Sequence, residues 1–374
     1  MKRFVIWNPF GLRQGDFYLT IMLFFVIGGC APKLEKTTAE EFKIAIHGKA
    51  QGTTYSIAYY DLQERDFKPQ IDSLLARIDQ SVSTYQKGSV IDRWNASNSG
   101  AEVDALFIHL LCESWNAYLA SQGAFDPTVM PLVRYWGFGP ERFEHPESVD
   151  SAQVIRLKSH MQFDSLYFEG PNGRITLSEM ALREALPPSM FLHKPDSNIA
   201  LDFNAIGQGW SVDKVAEFLE SFDIEIYFVE IGGEIRAGRP KPDGEMWRFG
   251  IDKPESDISK RSMQAILKLR SRGLATSGSY RKFYERDGVR YAHTIDPTTG
   301  YPANHSLLSA TVLAPTAADA DAMATAYMVM GKDSTLNFLR SRDYLSNYVY
   351  LIYDSAGIMK TYTSRSMVKM VEEQ

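Results

Sequence analysis

The order of strand-like and helix-like runs after residue 199 constrains the fold more than any other feature of this chain. Runs at residues 199–203, 224–231, 248–251, 264–269 and 289–295 are apolar or β-branched and read as strands. Only two helical patterns interrupt them, at residues 210–221 and 316–330. A doubly wound sheet needs a helix after nearly every strand, so the pattern predicts an α+β chain instead.

The remaining segments fit that class. Residues 42–60 predict a strand pair broken at Gly48 and Gly52. Ile71, Leu74, Leu75, Ile78 and Val82 have helical spacing, and a second helix is expected over residues 104–122, after a polar stretch at 95–100. Residues 123–140, rich in Gly, Pro and aromatics, predict short ordered elements. Hairpins are expected at 165–177, turning at Pro171-Asn172-Gly173, and at 348–361 around Asp354-Ser355-Ala356-Gly357. Residues 179–194, with Pro187-Pro188, match no element.

Lys2, Arg3 and Arg13 precede an apolar run over residues 17–27 that ends in Gly28-Gly29-Cys30. A basic start, a short apolar run and small residues make a secretory signal, and the run is short for a membrane span. Ile27-Gly28-Gly29-Cys30 also resembles a bacterial lipobox, in which Cys30 is lipidated and becomes the first residue. A plain signal with a chance cysteine, or a short anchor helix, would leave the same trace. The expected organisation is a signal peptide over 1–29, a tether over 30–41 and one domain over 42–374. The other cysteine, Cys112, has no partner for an internal disulfide and sits in an apolar run that reads as core. A net charge of −6 offers no basic face, so nucleic acid is not an expected partner.

Five segments can carry chemistry. In Asp202-Phe203-Asn204-Ala205-Ile206-Gly207-Gln208-Gly209-Trp210 a predicted strand runs into glycines and a helix, where free N–H groups suit a phosphate. The segment lacks the P-loop lysine, and a glycine-eased turn without a ligand would look the same. Asp321 and Thr325 lie one helical turn apart in Asp319-Ala320-Asp321-Ala322-Met323-Ala324-Thr325. Their oxygens suit a hard cation, although acidic residues there also complement a helix dipole. His293, in Tyr291-Ala292-His293-Thr294-Ile295-Asp296-Pro297, is a general acid–base candidate or a structural histidine. Ser83-Thr84-Tyr85 and Gly123-Ala124-Phe125-Asp126 put aromatics beside polar groups, as a flat ring ligand or an ordinary core would require.

Taken in order, these blocks resemble the ApbE family, the FAD:protein FMN transferases once labelled thiamine biosynthesis lipoproteins. The resemblance rests on Gly52-Thr53-Thr54-Tyr55, Ser83-Thr84-Tyr85, Ala124-Phe125-Asp126-Pro127-Thr128 and Trp136-Gly137-Phe138-Gly139. It continues through Asp202-Phe203-Asn204-Ala205-Ile206, Ile231-Gly232-Gly233-Glu234-Ile235, Thr276-Ser277-Gly278, His293 to Pro297 and Asp321 to Thr325. It runs from about residue 48 to residue 331. It implies an ApbE-like α+β fold of two mixed lobes with the FAD site between them. It also implies a membrane-tethered enzyme facing the periplasm that uses FAD and Mg²⁺, with Ca²⁺ the alternative, releases AMP, and attaches FMN to a threonine of a target. Typical targets are flavin-carrying subunits of redox-driven ion pumps.

By the family pattern, Asp321, Thr325 and the carbonyl of Ala205 would hold the metal. Tyr85, Ala124, Phe125, Asp126, Asp202 and Ile295 would line the FAD site, with Gln51, Gln208, Ser277 and Gly278 at further contacts. His293 and Asp202 are the catalytic candidates. Many members carry methionine where this chain has Gln51 and lysine where it has Gln208, which removes a positive charge near the phosphates. Hydrolysis of FAD to FMN and AMP, and FAD binding without turnover, are the competing expectations.

Overall fold

The computed structural model describes residues 42–140, 145–254, 262–280, 283–286, 288–341 and 348–373. The expected signal peptide, Cys30 and the tether lie outside the described residues. Among the described residues no helix is long and apolar enough to cross a membrane.

Eight strands form one antiparallel sheet in which spatial order follows chain order. They are β1 (Lys43–Ala50), β2 (Thr53–Tyr60), β3 (Tyr227–Ile231), β4 (Glu234–Ala237), β5 (Arg272–Gly278), β6 (Leu307–Ala314), β7 (Tyr348–Ser355) and β8 (Ile358–Thr363). Most other elements are inserted between neighbours of this meander; the strand Val371–Glu373 follows it and pairs with residues 265–267. The longest insertion, between β2 and β3, contains α1 (Lys68–Val82), α2 (Ala105–Ala120) and α3 (Gly207–Glu220). A fourth long helix, α4 (Ala317–Ser341), joins β6 to β7 and bends at Gly331, where φ is 73°. The α+β expectation holds.

Strand alternation sends side chains to two cores. Tyr55, Ile57 and Tyr59 of β2 and Val229 of β3 enter a core shared with α1, α2 and α3. From the opposite face Ile235, Leu274, Leu313 and Ile352 pack against Trp247, Ala265 and Leu267 of a three-stranded sheet. That small sheet contains the expected strands at 248–251 and 264–269, here Trp247–Asp252 and Met263–Leu269.

Several expectations need correction. The first hairpin turns at Gln51 and Gly52, both with positive φ (53° and 72°), while Gly48 stays inside β1. Its missing Cβ makes room for the Tyr55 ring, which would lie 2.4 Å from that atom. Residues 199–203 are extended but join none of the sheets. The helix expected from Trp210 begins at Gly207, so the glycines form its first turn. The strand expected over 289–295 ends at Ala292. Conversely, β5 and β6 are central strands that were not expected: the small and hydroxyl residues of Arg272–Gly278 conceal β5, whereas the apolar run Leu307–Ala314 of β6 is legible in the sequence. The unassigned 179–194 stretch supplies a short strand, Ser189–His193, inside a four-stranded sheet with Gly100–Asp104, Tyr167–Gly170 and Gly173–Thr176.

Candidate functional site

The first turns of α3 and α4 meet at very close range. A Cβ on Gly209 would lie 2.3 Å from the carbonyl oxygen of Ala317 and 2.8 Å from Cβ of Asp321. Only glycine permits that approach, and it lets the Gly209 N–H donate to Asp321 Oδ2 at 3.1 Å. Asp213, one turn further along α3, ties the same helix ends together. Its carboxylate accepts from the N–H groups of Ala317 and Ala318, at 2.9 and 2.8 Å, and from Arg236 at 3.0 Å. The start of α4 is thus capped twice, because the Thr316 hydroxyl also accepts from Asp319 N–H at 3.0 Å.

A cavity of about 370 Å³ opens beside this junction. Its walls come from two sources. The insertion between β2 and β3 contributes Tyr85, Ala124, Phe125 and Asp126, then Asp202, Ala205 and Gln208. The later strands and α4 contribute Ser277, Gly278, His293 and Ile295, then Asp321 and Thr325. Gln51 is the one residue of the expected FAD and metal set that lies elsewhere. It lines an adjoining cavity of about 580 Å³ that shares Tyr85, Asn204 and Gln208 with the first. There its side-chain N–H donates to Ser211 Oγ at 2.6 Å, and its carbonyl oxygen is buried without a hydrogen bond.

Electrostatics single out the carboxylates. Burial, reinforced by the negative charge of Asp213, pushes Asp321 up to about 7 against the pull of the Gly209 N–H. Burial also raises Asp202, opposed by its hydrogen bond from Asn204 N–H and by the Arg134 charge. Asp126 is raised by burial too, although both the N–H and the hydroxyl of Thr128 donate to it, at 2.8 and 2.6 Å. That double bond marks Asp126 as the cap of the short turn Pro127–Val129.

Beside the buried Asp321 carboxylate the donors are hydroxyls, with Thr325 Oγ1 3.1 Å from Ser277 Oγ. A carboxylate with hydroxyl oxygens is donor chemistry that fits a hard ion such as Mg²⁺, which draws further ligands from backbone oxygens, water and substrate phosphates. Among the described residues no cluster of three or more His, Cys, Asp or Glu could hold a metal.

The aromatic wall differs from expectation. Tyr85 is 63% exposed at the rim and can offer its ring face, whereas Phe125 is 2% exposed and belongs to the core. Phe138, Asn204 and Glu234, which stand in the family-like blocks without an assigned role, also line the cavity, as does Tyr280, two residues after Gly278.

Comparison with known proteins identifies the family. The ApbE family matches residues 51–349. The FAD:protein FMN transferase of Haemophilus influenzae is 35% identical over 338 residues, covering 88% of this chain and 92% of that protein. That of Escherichia coli K12 is 34% identical over 353 residues, covering 92% and 94%. The solved flavin transferase ApbE from Vibrio cholerae superposes with a TM-score of 0.72 at 33% identity, covering 88% of this chain and 99% of that one. This chain belongs to the ApbE family.

Proposed function

We propose that this chain is an FAD:protein FMN transferase. A threonine hydroxyl oxygen of a target protein bonds to the phosphorus of the FMN phosphate of FAD. The bond from that phosphorus to the bridging oxygen breaks, AMP leaves with the electron pair, and the threonine proton passes to a base. The observation that supports it most is the meeting, in one cavity, of an apolar and aromatic wall with a buried carboxylate at two helix N-termini. The names of the relatives point the same way.

The residues divide the work. Asp321, Thr325 and the carbonyl of Ala205 would hold Mg²⁺, which supplies charge neutralisation of the diphosphate and of the AMP leaving group. In the first turn of α3 the N–H groups of Gly207, Gly209 and Trp210 are spent on Phe203 O, Asp321 Oδ2 and Ile206 O, so the turn would reach a phosphate through Gln208, which lines the cavity. Tyr85 presents a ring face to the flavin or adenine. His293 stands on the cavity wall as the candidate base for the threonine proton, and Asp202 as the alternative. The reading extends to a periplasm-facing lipoprotein anchored through Cys30, and to a target among the flavin-carrying subunits of redox-driven ion pumps.

The test mixes the full chain with FAD, Mg²⁺ and a candidate target bearing an acceptor threonine. AMP release should match covalent flavin fluorescence on the denatured target. AMP with only free FMN would instead make the reaction a hydrolysis.

A further inference from the structure

The segment that supplies Asp202, Asn204 and Ala205 to the cavity has no strand beside it, yet its backbone is hydrogen-bonded by side chains. Asn95, in the last turn of the short helix Val90–Ala96, donates from Nδ2 to Leu201 O at 2.9 Å and accepts from Leu201 N–H at 2.8 Å. Its amide thus makes both bonds that a neighbouring strand would have made to Leu201. Lys194 is 4% exposed, and its ammonium donates to Ile199 O at 3.0 Å and Asn95 O at 3.1 Å while lying 4.8 Å from the Trp94 ring centroid. One residue further along, Asp202 N–H donates to Pro127 O at 2.7 Å.

The positions of these two residues explain two stretches with no assigned role. The polar loop after Asn95 and the strand Ser189–His193 pair through Gly100 and His193, which delivers Lys194 beneath residue 199. Burying a lysine among carbonyls is costly, and burial lowers its pKa to about 8. Such a cost is unusual for a residue whose only bonds are to two backbone carbonyls, unless the position of those carbonyls matters.

We infer that Asn95 and Lys194 are positioning residues for the reaction, holding residues 199–205 in place of a missing strand so that Asp202 and the Ala205 carbonyl face the cavity. The catalytic part of this inference rests on the transferase reading; the structural part stands without it. Lys194→Met removes its bonds with little change of bulk, Asn95→Ala removes the amide with its bonds, and Trp247→Phe is the control. That control deletes a hydrogen bond of the small three-stranded sheet, Trp247 Nε1 to Arg239 O at 3.0 Å, and Trp247 lines neither cavity.

In the full-length protein without ligands, Asn95→Ala should speed hydrogen exchange of the Leu201 and Asp202 amides by on the order of tenfold or more, with amides of β2 and α1 unchanged. With FAD and Mg²⁺, KM for FAD and the half-saturating Mg²⁺ concentration should rise by about tenfold in both brace variants and stay at wild-type values in Trp247→Phe. A purely structural role would lower melting temperature in all three variants alike and leave KM unchanged. Unaltered exchange at Leu201, or unaltered KM in a folded Asn95→Ala or Lys194→Met protein, overturns the inference. Absence of AMP from the wild type would defeat the transferase reading while the exchange experiment still judges the brace.

Discussion

At the scale of single residues, Asp321 decides the chemistry of the junction. Its carboxyl is raised from the usual 3.8 to about 7, so the metal-free folded chain holds a proton there that the unfolded chain releases. Between about pH 4 and pH 7 this group therefore makes the metal-free protein less stable as pH rises. A cation competes with that proton, so Mg²⁺ should raise the melting temperature markedly at pH 8 and little at pH 5.5. Asp321→Asn should abolish this pH-dependent stabilisation and cut AMP release by on the order of a hundredfold. Equal Mg²⁺ stabilisation of variant and wild type at pH 8 would remove Asp321 from the cation site. The pairing of Asp321 with Thr325 was readable from the sequence, because positions four apart share a helix face. The shift in Asp321 was not, since it arises from burial beside Asp213, over a hundred residues away.

At the scale of elements, the contact between α3 and α4 is what brings phosphate donors and carboxylate together. Gly209 is the hinge of that contact, with the Ala317 carbonyl 2.3 Å from where a Cβ would stand. Gly209→Ala should cost about 1–3 kcal/mol in urea unfolding. It should also weaken Mg²⁺ binding, because the helices must part and the bond from Gly209 N–H to Asp321 lengthens. A variant with wild-type stability and Mg²⁺ response would show that the close approach is incidental. The sequence marked Gly207 and Gly209 as a turn, but which of the two touches another helix depends on a partner that local pattern cannot name. The same limit hid β5. Thr276, Ser277 and Gly278 lack the apolar alternation that marks a strand, and only their pairing with Thr311, Ala310 and Ser309 makes them one.

At the scale of the whole molecule, the cavity-lining residues of both adjoining cavities lie between Gln51 and Val329. The lipobox reading puts an anchor at Cys30, outside that stretch of sequence. Cys30→Ser in the full chain should lose lipid labelling and membrane association while keeping wild-type AMP release; labelling that persists would refute the lipobox reading. The sequence by itself determined the α+β class, the C-terminal hairpin and the start of the helix after Thr316, because turn chemistry, capping and side-chain periodicity are local properties. It also carried the family resemblance, through blocks whose order survives even where each is short. Only the tertiary structure decided that residues 199–203 are an unpaired segment held by Asn95 and Lys194. An extended backbone reads the same whether its hydrogen bonds end on a strand or on side chains, and that choice belongs to the partners, not to the segment.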